Sequence, residues 1–273
     1  MRHRSVLCVS GLLAVLASTA SPAFAQFIPR RVNDPATGEI YQLEFSAGFW
    51  SPAAEMSISS ESLGIPGTRI DFKNDLGLTD QRFSEIHAVL HPARKHKLRF
   101  QYIPINYVQS STLQQDVVFN GQKYKAGVLV NSELHWKAYR FTYEYDFIAT
   151  DRVFGGFMVD LKQTDARVRL QGPLTDEFTH AKAPIPALGG ILRGYVARNI
   201  SITGELTGFK IPDRVSKDYK GHYVDLDIYG TVNFSKALGA QFGYRMFDIG
   251  YVAKVDSGSF RLKGPYFGAV VRY

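Results

Sequence analysis

The sequence predicts an all-β protein, an antiparallel up-and-down transmembrane β-barrel of about ten strands, with eight and twelve as the neighbouring counts. Three observations carry this. The 273 residues include 19 Phe, 15 Tyr and 24 Gly, and almost no segment sustains a helical period. Ten stretches alternate apolar and polar residues with period two, the pattern of strands with two unlike faces. The links between them alternate short and long, as when turns lie on one side of a membrane and loops on the other.

The first element lies outside the barrel. Arg2 and Arg4 precede the apolar run VLCVSGLLAVLA, and Ala23-Phe24-Ala25 gives a small-x-small site before Gln26. This is the pattern of a cleaved secretory signal over residues 1–25. The run is too short to span a bilayer and is followed by Ser, Thr and Pro. Cys8, the single cysteine, leaves with it, so a mature chain has no disulfide, thiol nucleophile or Cys-based metal site. The formal net charge is +7, part of it in Arg2 and Arg4; a secreted basic chain faces acidic lipid or polysaccharide rather than nucleic acid. Residues 26–40, QFIPRRVNDPATGEI, are expected as a short periplasmic lead-in and 41–273 as the barrel.

The strands then follow in order. Residues 41–49 set Tyr41, Leu43, Phe45, Ala47 and Phe49 against Gln42, Glu44, Ser46 and Gly48. The next sets Ile86, Ala88 and Leu90 against Glu85, His87 and Val89, and the third Leu98, Phe100 and Tyr102 against Arg99 and Gln101. The fourth opposes Tyr139, Phe141, Tyr143, Tyr145 and Phe147 to Arg140, Thr142, Glu144 and Asp146. The fifth puts Phe157, Val159 and Leu161 opposite Met158, Asp160 and Lys162. In the sixth, Leu188, Leu192 and Val196 oppose Ile191, Arg193 and Tyr195; in the seventh, Ile200, Ile202 and Leu206 oppose Ser201, Thr203 and Glu205. The eighth opposes Val224, Leu226, Ile228 and Val232 to Tyr223, Asp225, Asp227 and Tyr229, the ninth Phe242 and Tyr244 to Gln241 and Arg245. The chain closes on YFGAVVRY, with Phe267, Ala269, Val271 and Tyr273 on one face and Arg272 on the other.

Alternation alone does not say which face is wet outside, and a soluble lipocalin-like barrel would turn its apolar face inward. Strand lengths near the ~9–11 residues that cross a bilayer favour the inverted arrangement. So do aromatics at strand ends, among them Tyr145, Phe147, Phe234 and Tyr273. The tight links are HPARKH (91–96), ATDR (149–152), ARN (197–199) and SKA (235–237). The long polar links fall at about 51–82, 108–132, 165–184, 210–221 and 254–262.

On these features the chain resembles small Gram-negative outer-membrane β-barrels of the porin-like and OmpA-like kind. The resemblance implies a monomer whose last strand, through Phe267, Ala269, Val271 and Tyr273, is read by the barrel assembly machinery, and which sits among outer-membrane lipids including lipopolysaccharide. TRIDFKNDLGL, 68–78, is similar to a stretch in barrels of this sort and implies no activity. The rim cations Arg167, Arg169, Lys182, Lys210, Arg214, Lys217, Lys220, Lys254, Arg261 and Lys263 are candidates for lipopolysaccharide phosphates.

Catalytic constellations are weak. No His-x-Ser pair offers an activated nucleophile. His222 with Asp225 and Asp227 is the nearest approach to an omptin-like protease site, but alternation puts His222 on the opposite face from the acids. Asp71, Asn74 and Asp75 lack the spacing of a calcium loop and are expected to cap turns. No cofactor is implied. With polar faces inward, the lumen collects Glu44, Glu85, Glu144, Asp146, Asp160, Glu205, Asp225 and Asp227 with Arg99, Arg140, Lys162, Arg193, Arg245 and Arg272. The expected function is a structural or narrow-pore outer-membrane protein with a charge-paired lumen, not an enzyme. The alternatives are an outer-membrane protease or lipid hydrolase, or a soluble periplasmic lipocalin-like binder.

Overall fold

A computed structural model describes residues 34–59, 67–173, 176–212, 219–253 and 256–273. The signal segment 1–25 and residues 26–33 lie outside the described residues. The strands are β1 (Leu43–Trp50), β2 (Ala53–Ser59), β3 (Ile70–Asp71), β4 (Phe83–Ala93), β5 (His96–Thr112), β6 (Val117–Phe119) and β7 (Gln122–Tyr124). They continue as β8 (Leu129–Ala149), β9 (Val153–Gln171), β10 (Asp176–Ala197), β11 (Ile200–Lys210), β12 (Tyr219–Asn233), β13 (Leu238–Ala253) and β14 (Asp256–Arg272).

β1, β4, β5 and β8 to β14 pair antiparallel with their neighbours in chain order, and β14 returns to β1, closing a ten-stranded barrel. β2 continues β1 past Ser51-Pro52. One long strand, β14, therefore pairs with both, Glu44 to Trp50 lying opposite Arg272 to Tyr266, and Ala53 to Ser59 opposite Lys263 to Ser257. Proline has no N–H for the ladder; the bonding holds up to it, Ser51 N–H donating to Pro265 O at 3.0 Å, and pairing resumes at Ala53. All ten alternating stretches are barrel strands, and the terminal strand closes against the first, as the alternation requires.

The outer face is apolar, with Phe45, Phe141, Leu161, Leu192, Leu206 and Phe242 all exposed. The inner face carries the charges. This is the inverted arrangement of a membrane barrel. The apolar band on β9 runs from Val153 to Leu161 and then gives way to Gln163, Asp165 and Arg167, so the bilayer-crossing stretch has the expected length.

The strands do not stop there. The expectation of loops at 165–184 and 254–262 is overturned: β9 and β10 run on to Gln171 and from Asp176, and β14 begins at Asp256. Link 108–132 holds the end of β5, the β6–β7 hairpin and the start of β8, and link 51–82 holds β2 and β3. The misreading has one cause. Above the band the outside is water, so the polarity of the two faces inverts while the same positions stay outward. On β8, Glu133, His135 and Lys137 point outward while Val130, Leu134 and Trp136 are buried. The barrel therefore continues upward as a water-exposed β-barrel with an apolar core.

That core is plugged from within. In TRIDFKNDLGL, Ile70, Phe72, Leu76 and Leu78 are buried in it. Asp71 caps the turn below them, its Oδ1 accepting from the backbone N–H of Lys73 and Asn74 at 2.9 Å each, while Asp75 Oδ2 accepts from Asp71 N–H at 2.8 Å. The β6–β7 hairpin adds Val117, Phe119 and Tyr124. Its Asn120-Gly121 turn has both residues at positive φ, 49° and 80°, the geometry of a two-residue hairpin turn.

Candidate functional site

The site is the barrel lumen within the apolar band. Even residues of β8 and β9 and odd residues of β10 to β13 face inward by the period of the strand, so charges far apart in sequence meet across the lumen. At the floor, Lys97 is 1% exposed. Its Nζ lies 2.9 Å from Asp146, 3.1 Å from Glu144 and 3.7 Å from Glu39. Arg193 Nη1 donates to the same Glu39 at 2.8 Å, and the Tyr195 hydroxyl at 2.9 Å.

The middle layer is a relay of guanidinium and carboxylate groups. Arg99 bridges Glu144 at 3.0 Å and Glu205 at 2.6 Å. Arg140 Nε donates to Asp160 at 2.9 Å, with Asp225 3.6 Å and Glu205 3.9 Å from its other nitrogens. Arg245 holds Glu85 and Asp227, each at 2.6 Å. At the roof, Lys162 Nζ donates to Asp225 at 2.9 Å and to the Tyr223 hydroxyl, and Tyr223 donates in turn to Asp225 at 2.9 Å. Near the closing seam Arg272 pairs with Glu44 and Asn233.

Arg99, Arg140, Lys162, Arg193, Arg245 and Arg272 all turn to carboxylates on other positions of the barrel. Arg cations recur because the planar fork can serve two carboxylates at once. Sequence reasoning missed two members. Lys97 shares the phase of Arg99 and Gln101 and was legible. Glu39 was not, because it comes from the short 3-10 turn Thr37–Glu39 of the expected lead-in. That turn folds into the barrel floor, Thr37 N–H donating to Arg198 O at 3.0 Å.

The network fills the cross-section. The cavities among these side chains are about 30 Å³, beside Arg99, Glu205, Asp227 and Arg245, and about 40 Å³, beside Arg140, Lys162 and Asp225. Each is of the size of a water site, not of a channel. His222 stands apart from Asp225 and Asp227: it is half exposed, 3.5 Å from Asp248, while both acids are buried in the ion-pair layer. Among the rim cations, Arg169 pairs with Asp176, Lys182 with Asp165, Arg261 with Asp248, and Lys263 with Glu55. Arg167 and Lys210 lie exposed on the outer face, and Arg214, Lys217 and Lys254 lie outside the described residues.

No protein-family profile matches the sequence, and no curated relative is found. Among solved structures the outer membrane protease OmpT of Escherichia coli aligns with a TM-score of 0.55 at 6% identity, over 85% of this chain and 96% of that one. This chain folds as an outer-membrane β-barrel. Lesser likenesses are to Ail of Yersinia pestis, with a TM-score of 0.35 at 10% identity over 82% of this chain and 97% of that one. The toluene transporter TodX of Pseudomonas putida gives 0.36 at 9% identity over 89% and 93%. At such identities the likeness is one of fold, and the chemistry has to come from the barrel's own residues.

Proposed function

We propose that this protein is a monomeric outer-membrane barrel of a Gram-negative envelope, secreted through its signal segment, whose lumen is closed by ion pairs. It is a structural rather than catalytic barrel, and not a general diffusion pore. The observation that carries this reading is the ion-paired layer, whose voids of about 30 and 40 Å³ leave no room for a hydrated solute. About ten strands lie near the width that side chains can fill, whereas sixteen or more leave a channel. On this reading the last strand, with Phe267 and Val271 half exposed and Tyr273 fully so, presents the assembly machinery with its apolar face. Outward Arg167 and Lys210 meet phosphates of lipopolysaccharide, as charged donors at that height do.

Planar-bilayer recording tests the closed lumen. Wild type is expected to be silent or to pass only small ions in brief events. The double variant Asp225→Asn, Asp227→Asn takes one carboxylate partner from each of Lys162, Arg140 and Arg245 and is expected to conduct more or to unfold more readily. Large, steady, salt-proportional conductance of wild type would make the protein a general porin.

A further inference from the structure

Above the apolar band the wall of the barrel has a seam. β10 pairs with β11 from Ala197 up to Leu188, opposite Gly208, while residues 176–187 of β10 pair, among the described residues, with β9 alone. The seam is written into the sequence. Tyr195 N–H donates to Arg152 O on the β9 side, and the β9–β10 register runs without interruption from Gly194 to Asp176. Even positions of β10 therefore turn their amide nitrogen toward β11. Pro184 and Pro186 occupy two of them, and Pro212 follows the end of β11, so the ladder cannot be extended there.

Behind the seam lies a cavity of about 370 Å³, lined chiefly by apolar side chains including Trp136, Ala166, Ile185, Phe209, Ile249 and Phe260. An apolar cavity of ~150 Å³ already takes up benzene. Trp136 is 3% exposed, and its indole Nε1–H has no acceptor among the described residues. That nitrogen is closed off from the cavity by its neighbours. Lys220 and His222 line the same cavity and give it basic character. Below the seam, Leu161, Leu188 and Leu206 are exposed in the lipid-facing band.

We propose that this cavity binds a single fatty acyl chain, its methylenes filling the apolar space and its carboxylate or ester end lying by Lys220 and His222, with the seam between β10 and β11 as the mouth. The apolar lining calls for a hydrocarbon chain, the basic side chains Lys220 and His222 for an oxygen-bearing end, and the position of the mouth above the lipid band for a molecule that lives at the interface. The chain can belong to a free fatty acid or to a membrane lipid.

The protein's two tryptophans, Trp50 and Trp136, provide the readout. Full-length protein in lipid nanodiscs is titrated with terminally brominated undecanoic acid, and in a second arm is assembled with a phospholipid brominated on its acyl chain. Saturable quenching by the free acid, lost in Trp136→Phe and in Ala166→Phe, whose added ring fills the cavity, is the expected result. Quenching by the phospholipid alone, lost in the same variants, also supports the site and assigns the chain to membrane lipid. Gel mobility with and without heating shows whether each variant folded; Ala183→Phe, on the neighbouring strand β10, replaces Ala166→Phe if that one does not. Absence of saturable quenching in both arms, or quenching unchanged in the folded cavity-filled variant, overturns the proposal.

Discussion

Arg245 shows what a buried charge requires in this barrel. Its guanidinium joins Glu85 on β4 to Asp227 on β12, and all three are nearly inaccessible to solvent. Burying such groups costs desolvation that pairing only offsets, so the intact network contributes modestly, while removal of one partner costs about 3–5 kcal/mol. Arg245→Met is expected to lower the unfolding free energy, measured by urea titration in lipid vesicles, by an amount in that range. Lys73→Met, which breaks an exposed pair with Asp80 at 3.4 Å, is expected to cost less than about 1 kcal/mol. The glycines of GGILRG separate just as sharply. A Cβ on Gly189 would stand 2.0 Å from Leu206 O, whereas one on Gly194 meets nothing within 4 Å. Gly189→Ala is therefore expected to destabilise by about 1–3 kcal/mol through overpacking, and Gly194→Ala to fold with wild-type midpoint in the same assay.

At the scale of the element, each long strand serves two solvents. Below Leu161 the outward residues of β9 meet lipid, and above it water, so the polarity of its two faces inverts along one strand. In the water-exposed part of the β9–β10 ladder, a hydrogen bond from His180 at 2.7 Å, assisted by Lys182, holds the Asp165 carboxyl below the usual range. Arg169 does the same for Asp176. A carboxylate whose folded pKa is lowered stabilises the fold above its unfolded pKa of about 3.9 and loses that contribution as pH falls through the folded value. Hydrogen exchange of residues 163–171 and 176–182, corrected for intrinsic rates, is expected to accelerate below about pH 4. Asp165→Asn combined with Asp176→Asn removes that acid step, and an equal step in the double variant would refute the assignment.

The whole molecule is held by closure. β14 pairs along its length with β13 on one side and with β1 and β2 on the other, so no edge in the band is left for a second chain. The expected consequence is a monomer whose gel mobility in detergent changes on boiling, because the unheated barrel stays folded; constant mobility together with recovery in the soluble periplasmic fraction would return the lipocalin-like reading.

Ten strands, their order and the inward face of each were legible because alternation is local: a residue and its neighbour two positions on share a face whatever the rest of the chain does. Arg99, Glu144 and Asp227 were assigned to the lumen on that ground alone. The inversion of polarity at Lys137, His135 and Glu133 was also written in the sequence, and so was the Asn120-Gly121 hairpin, but an unbroken search for lipid-facing residues sees both as loop. What local pattern cannot supply is partnership across the lumen. That Arg245 would bridge Glu85 and Asp227, that Glu39 would reach Lys97 and Arg193, and that Trp136 would be left with an unpaired N–H beside a seam all depend on barrel diameter and strand stagger. Those are set only when β14 meets β1, because closure fixes at once every distance that separates side chains on non-neighbouring strands.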